Sequence, residues 1–162
     1  MVKKECDGNL PNEMDGGGLT PAFLNKAELR QFSPLVLAWV GDAVFELLVR
    51  QRLLDTGLRR VNELHRAAVS LVRAESQAQI LMELQEQQIL NEEERDIVRR
   101  GRNSHSRMPR HASVQEYHYS TGFEALIGWL WLSGERDRLD QIVDLALNCV
   151  DRVSAVNSND EI

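Results

Sequence analysis

The sequence predicts an all-α protein, a helical bundle of one domain. Three observations carry that reading. Apolar residues recur at three- and four-residue spacing along most of the chain, no segment shows the two-residue alternation of a half-buried strand, and serine, threonine or asparagine caps punctuate the apolar runs. At 162 residues the chain is long enough to bury a core without disulfides or a structural metal. It shows no internal repeat.

Residues 1–18 are polar, end in Gly16, Gly17 and Gly18, and read as a disordered tail. The folded domain is expected over 19–154, followed by a flexible C-terminal tail over 155–162. Thr20 before Pro21 and Ser33 before Pro34 each set a capping side chain ahead of a proline suited to the first helical position, so helices should begin near 21 and 34. The second should run to about Asp55 and stop at Gly57. A third helical region, divided at most once, is expected from Asn62 to about Gln88, with Leu64, Ala68, Leu71, Val72, Ala78, Ile80, Leu81 and Leu84 on its apolar face. Asn91 and Glu94 form a capping-box start for a helix ending at Gly101. The segment 102–112 has no apolar period and reads as a loop. Ser113 caps a short turn before a helix from about Tyr119 to Leu132, and a last amphipathic helix covers Glu135 to about Val153.

No stretch reaches the roughly 18 to 20 uncharged apolar residues of a membrane span, and no apolar core follows the N-terminal lysines as in a secretory leader. A soluble, cytoplasmic protein is expected. Cys6 and Cys149 lie far apart in sequence and fit reduced thiols better than a disulfide framework or a zinc site. The net charge of −6 argues, as a sum, against nucleic acid. Its distribution argues the other way: between Arg95 and His111 stand six arginines, two histidines and one acid, Asp96. A compact positive patch on an acidic protein can hold phosphates. An exposed arginine-rich loop without a ligand is the plainer alternative from charge alone.

Two apolar runs carry acids where acids are costly. Asp42 and Glu46 interrupt LVLAWVGDAVFELLV (35–49), and Glu124 interrupts FEALIGWLWL (123–132). A buried ionised carboxylate costs several kcal/mol, roughly, unless a cation or hydrogen bonds compensate it. Asp42 and Glu46 are four apart and share a helix face, with Arg50 one turn on. Gly41 beside Asp42 and Gly128 one turn after Glu124 permit close approach of the two helices. Packing those faces together would gather Asp42, Glu46 and Glu124 around one small volume. An ion pair of either first acid with Arg50, and a backbone cap or an arginine for Glu124, is the plainer alternative. Oxygen ligands without Cys or His at ligand spacing favour Mg²⁺ or Mn²⁺ over zinc.

The phrases LAWVGDAVFE (37–46), LHRAAVSLVRAESQA (64–78), RRGRN (99–103) and YHYSTGFEALIGWLWL (117–132) resemble, in order, the Mini-ribonuclease 3 family, the short branch of the ribonuclease III superfamily that lacks a double-stranded-RNA-binding domain. The resemblance spans about residues 30–150. It implies a single ribonuclease III-type endonuclease domain, a homodimer, Mg²⁺-dependent hydrolysis of double-stranded RNA, and maturation of large-subunit (23S) precursor ribosomal RNA. Carried over by residue, the aspartate of the first motif falls on Asp42 and the glutamate of the last on Glu124, as catalytic metal ligands. Two further acids of the larger enzymes fall on Ala38 and Thr121, leaving two direct carboxylates. Glu46 is a supporting acid, acting either from outside the ligand set as a base to a metal-bound water or by holding Arg50. Arg99, Arg100, Arg102 and Asn103 become RNA-backbone contacts, with His65 and Arg73 as further ones. A non-catalytic, ribosome-associated RNA-binding module of the same fold is the main alternative, but such a protein is expected to lose Asp42 or Glu124. A His-Asp metal hydrolase of nucleotides ranks below both, because His65, His105, His111 and His118 have no aspartate beside them.

Overall fold

The computed structural model describes residues 23–104 and 113–157, with side chains through Asn148. Seven helices and no strand occur among these residues: α1 Lys26–Leu29, α2 Pro34–Asp55, α3 Val61–Val72, α4 Ala74–Glu86, α5 Glu92–Arg102, α6 Val114–Leu132 and α7 Arg136–Asn157. None of them is long and apolar enough to cross a membrane. The tail 1–18, Pro21, and His105, Arg107, Arg110 and His111 lie outside the described residues. The helix expected from near 21 begins instead at Lys26: residues 23–25 are not helical, and Asn25 and Glu28 form the capping box that opens α1.

Helix α2 begins as its sequence dictates, with Pro34 in the first turn and the Leu35 N–H donating to Ser33 Oγ at 3.3 Å. It ends at Asp55, and Gly57 follows at φ +86°, a left-handed conformation that favours glycine. The predicted third region is broken at Arg73, whose extended backbone (φ −65°, ψ 152°) separates α3 from α4. Neither glycine nor proline causes that break. Side chains of α4's first turn stabilise it by satisfying the carbonyls that α3 leaves open: Ser76 Oγ donates to Ser70 O at 2.7 Å and Gln77 Nε2 to Val72 O at 2.9 Å. Helix α6 starts five residues before the expected Tyr119, because Ser113 and Glu116 form a full capping box that opens the long helix itself and no separate turn. Helix α7 continues past Val153 to Asn157.

Helix α6 is the axis of the core. Every residue from Ser120 to Leu130 except Glu124 is buried. Helices α2, α4 and α5 pack around it, and α7 closes the bundle through Leu139, Ile142, Val143 and Ala146. The α2–α6 crossing is the tightest. A Cβ on Gly41 would sit 1.8 Å from the Glu124 carbonyl oxygen, and one on Gly128 would sit 2.0 Å from the Leu37 carbonyl oxygen. Two glycines thus let antiparallel backbones touch. Phe45 and Phe123 meet edge to face at 4.9 Å just beyond.

Candidate active site

The glycine contact puts the two predicted acids side by side. Asp42 follows Gly41 on α2, and Glu124 supplies the α6 carbonyl against which Gly41 rests. Asp42 opens toward solvent, yet partial desolvation and then the charge of Glu46 hold its carboxyl above the ordinary carboxylate range. Glu124 is more enclosed. Burial first, and the Asp42 charge second, push its carboxyl up to about 8, while a hydrogen bond from the Gln77 side chain works in the opposite direction. No Lys or Arg pairs with either carboxylate among the described residues.

Glu46 has a different neighbour. Its Oε2 lies 2.7 Å from Arg50 Nη1 one turn along α2, which favours the role of holding Arg50. Accordingly the three acids do not converge, and no three His, Cys, Asp or Glu side chains among the described residues form a metal-binding group. Two carboxylates are nonetheless a sufficient protein share for Mg²⁺, which keeps most of its waters and takes one or two carboxylates plus substrate phosphate. Two adjacent, partly desolvated carboxylates without a protein cation form a donor set that fits such an ion. Ala38 is buried, and the Thr121 hydroxyl donates to its own helix at Tyr117 O (2.8 Å), so neither offers a further ligand.

The ribonuclease III domain matches residues 35–135. Curated Mini-ribonuclease 3 proteins are similar over most of the chain: that of Symbiobacterium thermophilum is 48% identical over 120 residues, covering 74% of this chain and 91% of its own. That of Thermoanaerobacter sp. is 43% identical over 130 residues, covering 80% and 90%. The chain belongs to the Mini-ribonuclease 3 branch of the ribonuclease III family. A crystal structure of a Fusobacterium nucleatum protein superposes with TM-score 0.66 at 30% identity, covering 75% of this chain and 96% of that one. Family membership makes the protein an endoribonuclease of the ribonuclease III type, a phosphodiester hydrolase.

The arginines of α5 are placed in three different ways. Arg99 is exposed and paired with Asp96. Arg100 reaches the backbone carbonyls of Arg30 (3.4 Å) and Phe32 (3.5 Å). Arg102 lies over the Tyr119 ring at 3.8 Å, in a cleft of about 480 Å³ lined also by Asn103, Gln115 and His118. Arg102 Nε and His118 Nδ1 are buried there without a hydrogen-bond partner. Arg73 leaves half its side chain exposed, with Nε donating to Ser76 Oγ at 3.1 Å. His65 is elsewhere, in an apolar groove between α2 and α3 lined by Leu47, Leu54, Val61 and Leu64.

Sequence reasoning missed Gln77, a buried amide whose Nε2 donates to Val72 O at the α3–α4 break and which works to lower the Glu124 carboxyl. The signal was the polar pair Ser76–Gln77 ahead of Ala78, which faces inward only once the break at Arg73 is known.

Proposed function

We propose that the protein is a Mg²⁺-dependent endonuclease, with Mn²⁺ an acceptable substitute, that cleaves double-stranded RNA as a cytoplasmic homodimer. Its substrate is precursor large-subunit (23S) ribosomal RNA. The observation that carries the reading is the Asp42–Glu124 pair: two carboxylates brought together by a glycine-to-backbone contact, with a raised protonation range and no protein cation between them. Groups so arranged serve a bound cation better than they serve folding. A non-catalytic RNA-binding module gains nothing from retaining them.

Bound at this pair, a divalent ion supplies a water acidified for attack and neutralises charge on the leaving 3′ oxygen. Asp42 and Glu124 hold and orient it, and the close α2–α6 contact fixes their separation. Glu46, engaged by Arg50, stays outside the ligand pair and shapes the charge around Asp42. Arg99, Arg100, Arg102 and Asn103 take backbone phosphates beside the α5–α6 cleft, with Arg73 as a further contact; His65, which lines the apolar α2–α3 groove, is left out of this set. Duplex RNA shows its phosphates and 2′-hydroxyls on a shallow minor groove, so shape outweighs sequence in this recognition.

The test is a cleavage assay on purified protein with a duplex RNA and with each single strand, in Mg²⁺ and in chelator. Cutting of the duplex in Mg²⁺ alone is expected. Undiminished cutting in chelator, or cutting confined to single strands, would sink the reading.

A further inference from the structure

We infer that the cleft between the end of α5 and the first turns of α6 is a phosphate subsite, in which His118 joins Arg102 in holding one backbone phosphate of the duplex. The inference rests on the nuclease reading above and adds a contact to it. Arg102, Asn103, Gln115, His118 and Tyr119 wall the cleft, which encloses about 480 Å³. All five side chains can donate a hydrogen bond and none is a carboxylate, so the set suits an anion. Arg102 is seated by its surroundings. A Cβ on Gly122 would stand 2.7 Å from Arg102 Cγ, so the missing side chain gives the arginine stem its path across α6. The guanidinium then lies 3.8 Å over the Tyr119 ring, with Nε buried and unpartnered. His118 is held in a similar way: its ring meets Tyr117 edge-on at 5.7 Å, and Nδ1 is buried and unpartnered.

Leaving a buried polar atom unsatisfied costs about 1–3 kcal/mol, and two occur in this one cleft. A structural arginine of this chain is placed differently, since Arg138 takes Glu94 through two nitrogens. Neither the Arg102 nor the His118 side chain has a hydrogen bond or an ion pair among the described residues, yet both stay partly exposed where they line the cleft. Two donor groups held by aromatic rings and left without partners are oriented before a ligand arrives, which lowers the entropy lost on binding. The position suits the reaction. At about 1.5 Å per residue, His118 precedes Glu124 by about 9 Å along the axis of α6, within reach of one RNA strand that passes both.

The experiment measures duplex RNA affinity by fluorescence anisotropy in chelator, over a range of salt, for the full chain and for Arg102→Met, His118→Ala and the double variant. Each single change is expected to raise Kd about tenfold, the effect of losing a hydrogen bond to a charged group. The double variant should fall well short of the roughly hundredfold loss that independent contacts give, because both side chains serve one phosphate. Arg102→Met should flatten the dependence of log Kd on log salt by about one unit per subunit engaged, and the double variant by no more. Inorganic phosphate is titrated against the thermal midpoint of the same proteins. A midpoint that phosphate raises in the wild type but not in His118→Ala, with RNA affinity unchanged in every variant, would make the cleft a site for the free ion and overturn the inference. Losses that multiply in the double variant overturn it too, as does an unchanged Kd in His118→Ala. Should either single variant fail to fold, Arg102→Gln or His118→Leu is read in its place. A wild-type chain that neither binds duplex RNA in chelator nor cleaves it in Mg²⁺ would overturn the nuclease reading itself, whereas variant affinities equal to a tight wild-type value would remove this inference alone.

Discussion

A carboxyl walled by apolar helices on one side and faced by a second carboxyl on the other has no reason to persist in a core that needs only to fold. Glu124 stands in that position, at the one break in the buried run of α6. Asp42→Asn and Glu124→Gln are therefore expected to lower duplex cleavage by more than about a hundredfold, beyond the usual range for partners that do not touch the metal. The metal-free thermal midpoint of Glu124→Gln should hold or rise, since the change removes a charge that Asp42 repels. Glu46→Gln, whose partner is Arg50, should cost about tenfold at most. Turnover and differential scanning fluorimetry on the same preparations check all three, and near-normal turnover by either of the first two would contradict the assignment. Asp42 and Glu124 were legible in the sequence because a charge in an apolar run announces itself. Gln77 was not: a glutamine at the start of an amphipathic helix reads as surface, and its inward direction follows from a backbone break set by side chains of the next turn.

Helix α5 shows how an element is held at both of its ends. Its N-terminus is locked by the Asn91–Glu94 capping box, and the same Glu94, 2% exposed, takes Arg138 of α7 through Nε at 2.7 Å and Nη2 at 2.8 Å. Its C-terminus carries the arginines, with Gly101 pressed against Gly122 of α6. Burial pushes the Glu94 carboxyl up, but the Arg138 guanidinium and the Asn91 N–H outweigh it and hold the group below its ordinary 4.5. The folded protein then binds fewer protons than the unfolded chain just below that value. The contribution is present in full above about pH 4.5 and is lost as pH falls through the lower, folded value. Arg138→Met, which strands a buried charge, should cost about 3–5 kcal/mol near neutrality, and that deficit should shrink toward pH 3. Urea denaturation at both pH values measures it, and a deficit independent of pH would show that Glu94 is not its source. The capping box at Asn91 was plain in the sequence, and so was the one at Ser113 in principle. The apolar period that hides the first turn of α6 fails because Tyr117, His118 and Tyr119 are amphipathic and half-buried.

At the scale of the molecule, a net charge of −6 and an RNA substrate are compatible because the positive groups are gathered at the end of α5 while acids populate other faces. The apolar surplus of the sequence divides in the same manner. Phe45 and Trp129 are spent on the core and Trp131 is covered by Arg136, whereas Trp39 remains 78% exposed, joined along α2 and α3 by Val36, Leu47, Leu54, Val61 and Val69. The sequence shows the surplus but not its division, because core and surface positions on α2 alternate within one nearly uniform apolar run. Leu47, Leu54 and Val61 gather around a groove of about 380 Å³, an exposed apolar cluster of the kind that marks an interaction surface. A two-fold axis through that face would pair it with itself and supply two catalytic sets, as cutting both strands of a duplex requires. Each such side chain buried contributes about 1.5–3 kcal/mol, enough for a handful to hold a dimer. Sedimentation equilibrium at micromolar concentration is expected to give twice the 18.5 kDa chain mass. Leu54→Glu should weaken that association by at least about tenfold, the equivalent of some 1.4 kcal/mol, and cleavage of the second strand should fall with it. A monomeric mass in a preparation that still cuts both strands would separate activity from assembly and leave the α2–α3 face for another partner.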